Sequence, residues 1–176
     1  MEVQLHQEYA LTDQESTAVN ALLQYCFPGF PSDRNYYKSL PSFRFLIWEN
    51  ENLIGHISIV FRIVKVGSTV TRIFGISDVC VHPDHRSKQI ASVLLHEVEK
   101  CSQKYQIDFL ILIAEERALY KKRGYKSVSN TVRWLLVNDH QSLGVMHGNL
   151  DQSLMVKAMG TLKWNKGLLD LIGGLF

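Results

Sequence analysis

The sequence predicts one mixed α/β domain, a central twisted sheet of about six to seven mostly antiparallel strands with helices on both faces. Three observations predict it. Strand-length runs of alternating apolar residues follow one another from residue 43 to residue 81, and Phe109–Ala114 is an unbroken apolar run of strand length. Two stretches, Ala18–Tyr25 and Ile90–Cys101, repeat their apolar residues at helical spacing. The 176 residues contain no linker, internal repeat or low-complexity segment, so all of them are assigned to a single domain, 1–176.

In chain order, Val3–Ala10 alternates as a first strand. Thr12 and Glu15 have the spacing of a capping box, and they open a helix carrying Ala18, Leu22, Leu23 and Tyr25 that ends near Pro28. Phe27–Pro41 holds three prolines and the aromatics Phe27, Phe30, Tyr36 and Tyr37. It is expected to form a short helix between loops over one side of the core, either shaping a substrate pocket or simply packing as a lid. Phe43–Trp48 and Leu53–Arg62 read as strands joined by the polar turn Glu49–Asn52. Ile63–Val66 and Thr69–Phe74 flank Gly67-Ser68 as a second hairpin, and Gly75–Val81 continues as a strand. After the helix that runs to about Tyr105 come the strand Phe109–Ala114, a short helix Glu115–Arg123 stopped by Gly124, and strands at Tyr125–Val137 and Leu154–Ala158. His140–Gln152 between them is expected to be irregular, and the tail from Trp164 to dock against the domain edge.

The segment with most chemical content is Ile76–Lys100. A strand ending at Val81 is followed by a basic turn, His82–Gln89, and then by the second helix. The first turn of a helix leaves backbone N–H groups unpaired at the positive end of its dipole, and Arg86 and Lys88 add side-chain charge. The turn is therefore a candidate anion site.

Composition narrows the class. Hydrophobic residues make up 46% and charged residues 20%, an ordinary globular balance. A net charge of +2, without a long basic run, argues against nucleic acid. Three scattered cysteines without a C-x-x-C pair point to reduced thiols and a cytoplasmic protein. The first ten residues do not read as a secretory signal, and no apolar stretch reaches the ~20 residues of a membrane span. No His, Cys, Asp or Glu residues have metal-ligand spacing, so no metal is expected.

Val81-His-Pro-Asp-His-Arg86-Ser-Lys-Gln89-Ile-Ala91 resembles the cofactor motif Gln/Arg-x-x-Gly-x-Gly/Ala of the GCN5-related N-acetyltransferase (GNAT) superfamily. Arg86 and Ala91 match, and Gln89 stands where glycine is most frequent. Leu119-Tyr120-Lys-Lys-Arg-Gly124-Tyr125 is similar to a second motif of the same superfamily, aromatic-Tyr-x-x-x-Gly-aromatic. The resemblance implies a fold of the predicted class and an N-acetyltransferase with acetyl-CoA as cosubstrate. It implies that the backbone of Arg86, Ser87, Lys88, Gln89, Ile90, Ala91 and Ser92 holds the pyrophosphate, and that Val79, Cys80 and Val81 pair with the pantetheine arm. It also implies Tyr120 as the general acid that protonates the departing thiolate.

A protonated acceptor amine, pKa near ~10, needs a base. Superfamily members often carry a Glu on the motif strand, at the position of Gly75 here. Asp78 is the nearest acid, and strict alternation turns it away from the face of Ser77 unless a bulge intervenes. The acceptor is expected to be a small-molecule primary amine, bound by Phe27–Pro41, the hairpin Arg62–Arg72 and His140–Gln152. A homodimer is compatible with the sequence. Two other readings stay open: a longer-chain N-acyltransferase of the nodulation type, and a catalytically degenerate CoA-binding module.

Overall fold

The structure, a computed structural model, describes residues 2–150 and 153–176. Among the described residues, ten strands form one sheet, with three α-helices. The elements are β1 (Val3–Gln7), α1 (Asp13–Cys26), β2 (Phe43–Glu49), β3 (Asn52–Val66), β4 (Thr69–Val81), α2 (Ile90–Lys104) and β5 (Phe109–Ile113). They continue with α3 (Ala118–Lys122), β6 (Lys126–Ser127), β7 (Thr131–Asn138), β8 (Gln141–Asn149), β9 (Leu154–Ala158) and β10 (Leu169–Gly174). The sheet runs β6-β9-β5-β4-β3-β10-β7-β8; β2 pairs with the first half of β3, and β1 pairs with β2. Pairing is antiparallel except at β4–β5 and β10–β7.

The predicted capping box is present: Glu15 N–H donates to Thr12 Oγ1 at 3.2 Å, and Thr12 N–H to Glu15 Oε2 at 2.8 Å. It satisfies two donors that the first turn of α1 would otherwise leave unpaired. The apolar stripe of α2, including Ile90, Leu94, Leu95 and Val98, packs on one sheet face against Phe45, Ile57, Phe74 and Leu110. The other face carries α1, whose Val19, Leu22 and Leu23 meet Leu46 and Cys80. Further along this face, Val64, Ile73, Phe109 and Ile111 pack with Leu169, Leu171 and Trp164. Gly55 sets how closely α2 approaches: a Cβ there would stand 2.6 Å from Ile90 Cγ2.

Four expectations are corrected. The hairpin strands extend further than predicted, because β3 and β4 pair without interruption from Val66↔Thr69 down to Ser58↔Ser77. Phe27–Pro41 contains no helix; its prolines and aromatics make a succession of turns. The segment expected to be irregular after His140 is largely strand β8, joined to β7 through Asp139 (φ 43°) and His140 (φ 62°), the left-handed pair a two-residue hairpin needs. Asp151 and Gln152, at the end of that segment, lie outside the described residues. The tail does not dock on an edge. β10 inserts between β3 and β7, with Leu169 and Leu171 buried and Asp170 paired to Arg133. Among the described residues no helix is long and apolar enough to cross a membrane.

Candidate active site

The site begins where β4 leaves β5. The two strands pair in parallel only from Ile73↔Phe109 to Ile76↔Leu112, so Ser77–Val81 diverges and opens a cleft. In the same segment the β3–β4 register shifts between His56↔Cys80 and Ser58↔Ser77, and Asp78 adopts φ 50°. One extra residue in β4 is a bulge. It turns the Asp78 carboxylate onto the Ser58 face, where Ser58 Oγ donates to Asp78 Oδ2 at 2.8 Å. Burial raises the Asp78 pKa, against the hydrogen bond from Ser58.

A buried polar cluster holds the bulge. Arg44, fully buried, donates to Glu8 through Nε at 2.6 Å and Nη2 at 3.0 Å, and to Asn35 Oδ1 at 3.1 Å. Arg44 Nη1 lies 2.9 Å from His56 Nε2, and a guanidinium can only donate, so Nε2 accepts. The proton of His56 is therefore on Nδ1, which donates to the Asp78 carbonyl at 2.9 Å. Burial, then the Arg44 charge, lowers the His56 pKa to about 3, so the ring is neutral. His56 is wholly buried beneath the bulge, and neither Arg44 nor Glu8 carried a local signal.

The cleft, about 440 Å3, is lined by Val79, Cys80, Val81, Arg86, Ala91 and Tyr120, and Cys26 and Phe27 close its far side. The turn between β4 and α2 is a 3₁₀ segment, Pro83–Lys88, and Gln89 follows it as the N-cap of α2 with φ 57°. Gln89 thus keeps the left-handed backbone that glycine adopts freely. The N-cap Gln89 makes no side-chain cap, so the first-turn amides of Ile90, Ala91 and Ser92 are the candidates to meet an anion. Ile90's side chain is in the core. Ser87 shares the 3₁₀ segment. Arg86 Nε lies 3.5 Å from the Val81 carbonyl and its side chain reaches the cleft, but Lys88 turns to Glu49 at 3.5 Å. We expect Gln89→Gly to raise stability by about 1 kcal/mol or less, because relief of the left-handed strain is partly offset by the freer unfolded chain. A clear fall in the melting temperature would show that the Gln89 side chain contributes more than its backbone costs.

Tyr120 stands on α3 and packs edge-on against Tyr125, ring centroids 5.9 Å apart. Gly124 (φ 86°) ends the helix, and Tyr125 N–H returns to the Tyr120 carbonyl at 3.1 Å. Just beyond α3, Arg123 forms a bidentate pair with Glu99 of α2 (3.0 and 2.7 Å), and Lys157 of β9 joins it at 2.9 Å. This triad, invisible in the sequence, fixes α3 against its neighbours. Burial raises the Tyr120 pKa, so the phenol keeps its proton well into the alkaline range.

Asp78 opens toward a second cavity of about 270 Å3 beneath the Phe27–Tyr37 turns, and Phe27 borders both cavities. The tip of the β7–β8 hairpin closes over these turns through Tyr36 Oη–His140 Nε2 at 2.7 Å and Arg34–Asp139 at 3.5 Å. The hairpin tip at Gly67 lies instead against the tail, where its N–H donates to Leu168. Above Gly75 sits the Phe176 ring, 2.5 Å from where a Cβ would stand. An aromatic ring thus fills the space a Glu side chain at this position would need. Among the described residues no three His, Cys, Asp or Glu side chains converge as metal ligands.

Cys26, at the end of α1, donates to the Val81 carbonyl at 3.5 Å. Hydrogen bonding with Cys80, aided by Arg86 and opposed by burial, lowers its thiol to about 7, while the same contact and burial raise Cys80. Iodoacetamide is expected to modify Cys26 first, with a rate that rises through about pH 7. Peptide mapping that found Cys101 modified first would contradict this, since burial raises Cys101.

A family model described as an acetyltransferase (GNAT) domain matches residues 9–128, more than half of the 176-residue chain. No curated protein sequence matches. Among solved structures, the GNAT-family N-acetyltransferase YhbS of Escherichia coli, in complex with CoA, superposes with a TM-score of 0.65 at 14% identity, over 97% of this chain and 88% of its own. A GNAT-family acetyltransferase of Brucella melitensis, in complex with acetyl-CoA, gives 0.60 at 13% identity, over 94% and 93%. A probable N-acyltransferase of Enterococcus faecalis gives 0.62 at 16% identity over 74% of this chain, which spans only 34% of that protein.

Proposed function

Because the chain belongs to the GNAT acetyltransferase family, we propose that it transfers acetyl from acetyl-CoA to the primary amine of a small molecule. One observation carries the reading: a bulged, splayed β4 sets Val79–Val81, Arg86 and Tyr120 around one cleft and Asp78 at the mouth of the next.

The residues fit the cosubstrate. The three uncapped amides of α2 and the Arg86 guanidinium offer donors to a diphosphate. The edge of Val79–Val81, released from β5, offers backbone groups to an amide-bearing arm. The left-handed Gln89 argues against a degenerate module, since the turn keeps its shape without glycine. Bound acetyl-CoA supplies the activated thioester. Asp78 takes the proton of the acceptor ammonium, a task suited to a carboxylate raised by burial. The neutral amine would then form the amide bond as the thioester C–S bond breaks: Tyr120 would give its proton to the departing sulfur, and the second proton lost by the nitrogen would return to the Tyr120 oxygen. His56 and Arg44 do not touch substrate; they position Asp78 through its carbonyl.

Calorimetric titration with acetyl-CoA, together with an acceptor screen that reads free CoA thiol, tests the proposal. Binding with amine-dependent thiol release is expected; absence of binding at millimolar cosubstrate would refute it.

A further inference from the structure

The cavity at Asp78 carries chemistry of its own. Its lining is Phe27, Pro28, Gly29, Phe30, Tyr37 and Asp78. Phe27 and Phe30 lie 6.4 Å apart between ring centroids at 34°, and Phe30 and Tyr37 6.2 Å apart at 40°. Three tilted rings therefore form an arc around one carboxylate, the only charged side chain among the described lining residues. The negative faces of aromatic rings attract cations, and Lys38 Nζ already lies 5.4 Å from the Tyr37 centroid. Tyr37 is 53% and Phe27 36% accessible, so two of the three rings offer apolar surface to a ligand, while Phe30 packs on the core beneath α1.

We propose that this cavity selects a monoamine with a single aromatic or compact apolar body and no carboxylate or phosphate beside the amine. The ammonium sits at Asp78 and the body lies among Phe27, Phe30 and Tyr37. An α-carboxylate would face Asp78 with no cation in the lining to balance it. A polyamine would bring charges that the rings and one carboxylate only partly accommodate. The volume of about 270 Å3 lies below the range of drug-sized pockets and suits one ring and a short chain.

The inference rests on the transferase reading, so the test separates the two. The probes are 2-phenylethylamine, phenylalanine, spermidine and a lysine-containing peptide, each titrated into the full chain by calorimetry and assayed with acetyl-CoA. 2-Phenylethylamine is expected to lead the others by roughly tenfold or more in kcat/KM. Phe30→Ala and Tyr37→Ala are expected to raise its KM several-fold while kcat falls less, and Tyr37→Phe to restore it. Phenylalanine, spermidine or peptide turning over faster overturns the proposed selectivity and keeps the transferase. Amine binding without acetyl transfer keeps the pocket and overturns the transferase. Neither binding nor turnover with any probe overturns the proposed selectivity, and absence of acetyl-CoA binding in the same titrations overturns the transferase as well.

Discussion

Replacing Tyr120 with phenylalanine is expected to lower kcat about 100-fold while leaving affinity for acetyl-CoA within a factor of about two. The substitution removes one oxygen and keeps the ring that packs on Tyr125, so the fold loses little. In the proposed mechanism the oxygen matters because the departing thiolate takes its proton from this phenol. Burial holds the phenol above the usual tyrosine range, so in the native enzyme its deprotonation should not limit activity below about pH 10. Steady-state and single-turnover rates, with calorimetric CoA affinity, decide the matter. A variant that retains more than a third of native turnover would reduce Tyr120 to a packing residue.

The second large effect is on stability. Arg44→Met removes a fully buried guanidinium and strands Glu8, Asn35 and His56 without their shared donor. Breaking one side of a buried pair typically costs about 3–5 kcal/mol, here a fall in melting temperature of roughly 10 °C. Lysine should not rescue it, because one ammonium cannot serve three partners in a plane. His56 gives the same cluster a pH dependence. Its folded pKa of about 3 lies below the unfolded value, so protons favour the unfolded chain. Its stabilising contribution is complete above about pH 6.5 and falls as pH drops toward 3, by up to roughly 1.4 kcal/mol per unit. Asp78, raised by burial, acts in the opposite sense. Denaturant melts of the native chain and His56→Gln should therefore diverge below pH 6. Parallel curves would mean that the ring is not held neutral in the folded state.

How much of this was legible depended on whether a feature is local. The capping box of α1, the apolar stripe of α2 and the strand–turn–helix around Arg86 are written in neighbouring residues, and the structure places them accordingly. Tyr120 and Val79–Val81, named by two motifs far apart in the chain, line one cleft. Lys88 does not join them, because Glu49 from the distant β2–β3 turn attracts its charge. The orientation of Asp78 was undecidable by alternation, since one extra residue reverses the faces beyond it. β8 escaped notice because its side chains are exposed and carry no periodic burial. The tail strand was hidden for another reason: Leu169 and Leu171 alternate correctly, but their neighbours in the sheet come from residues 64–66 and 132–135.

That late strand has a consequence for how the protein is made. The ribosome releases β7 and β8 well before Leu169, yet they reach the rest of the sheet only through β10. Until synthesis passes that point, the hairpin has no neighbour on its inner side and its apolar residues stay open to solvent or to a chaperone. The β2–β3–β4 meander pairs among strands adjacent in the chain and can begin to assemble while translation continues, with β5 and β3 completed later by β9 and β10.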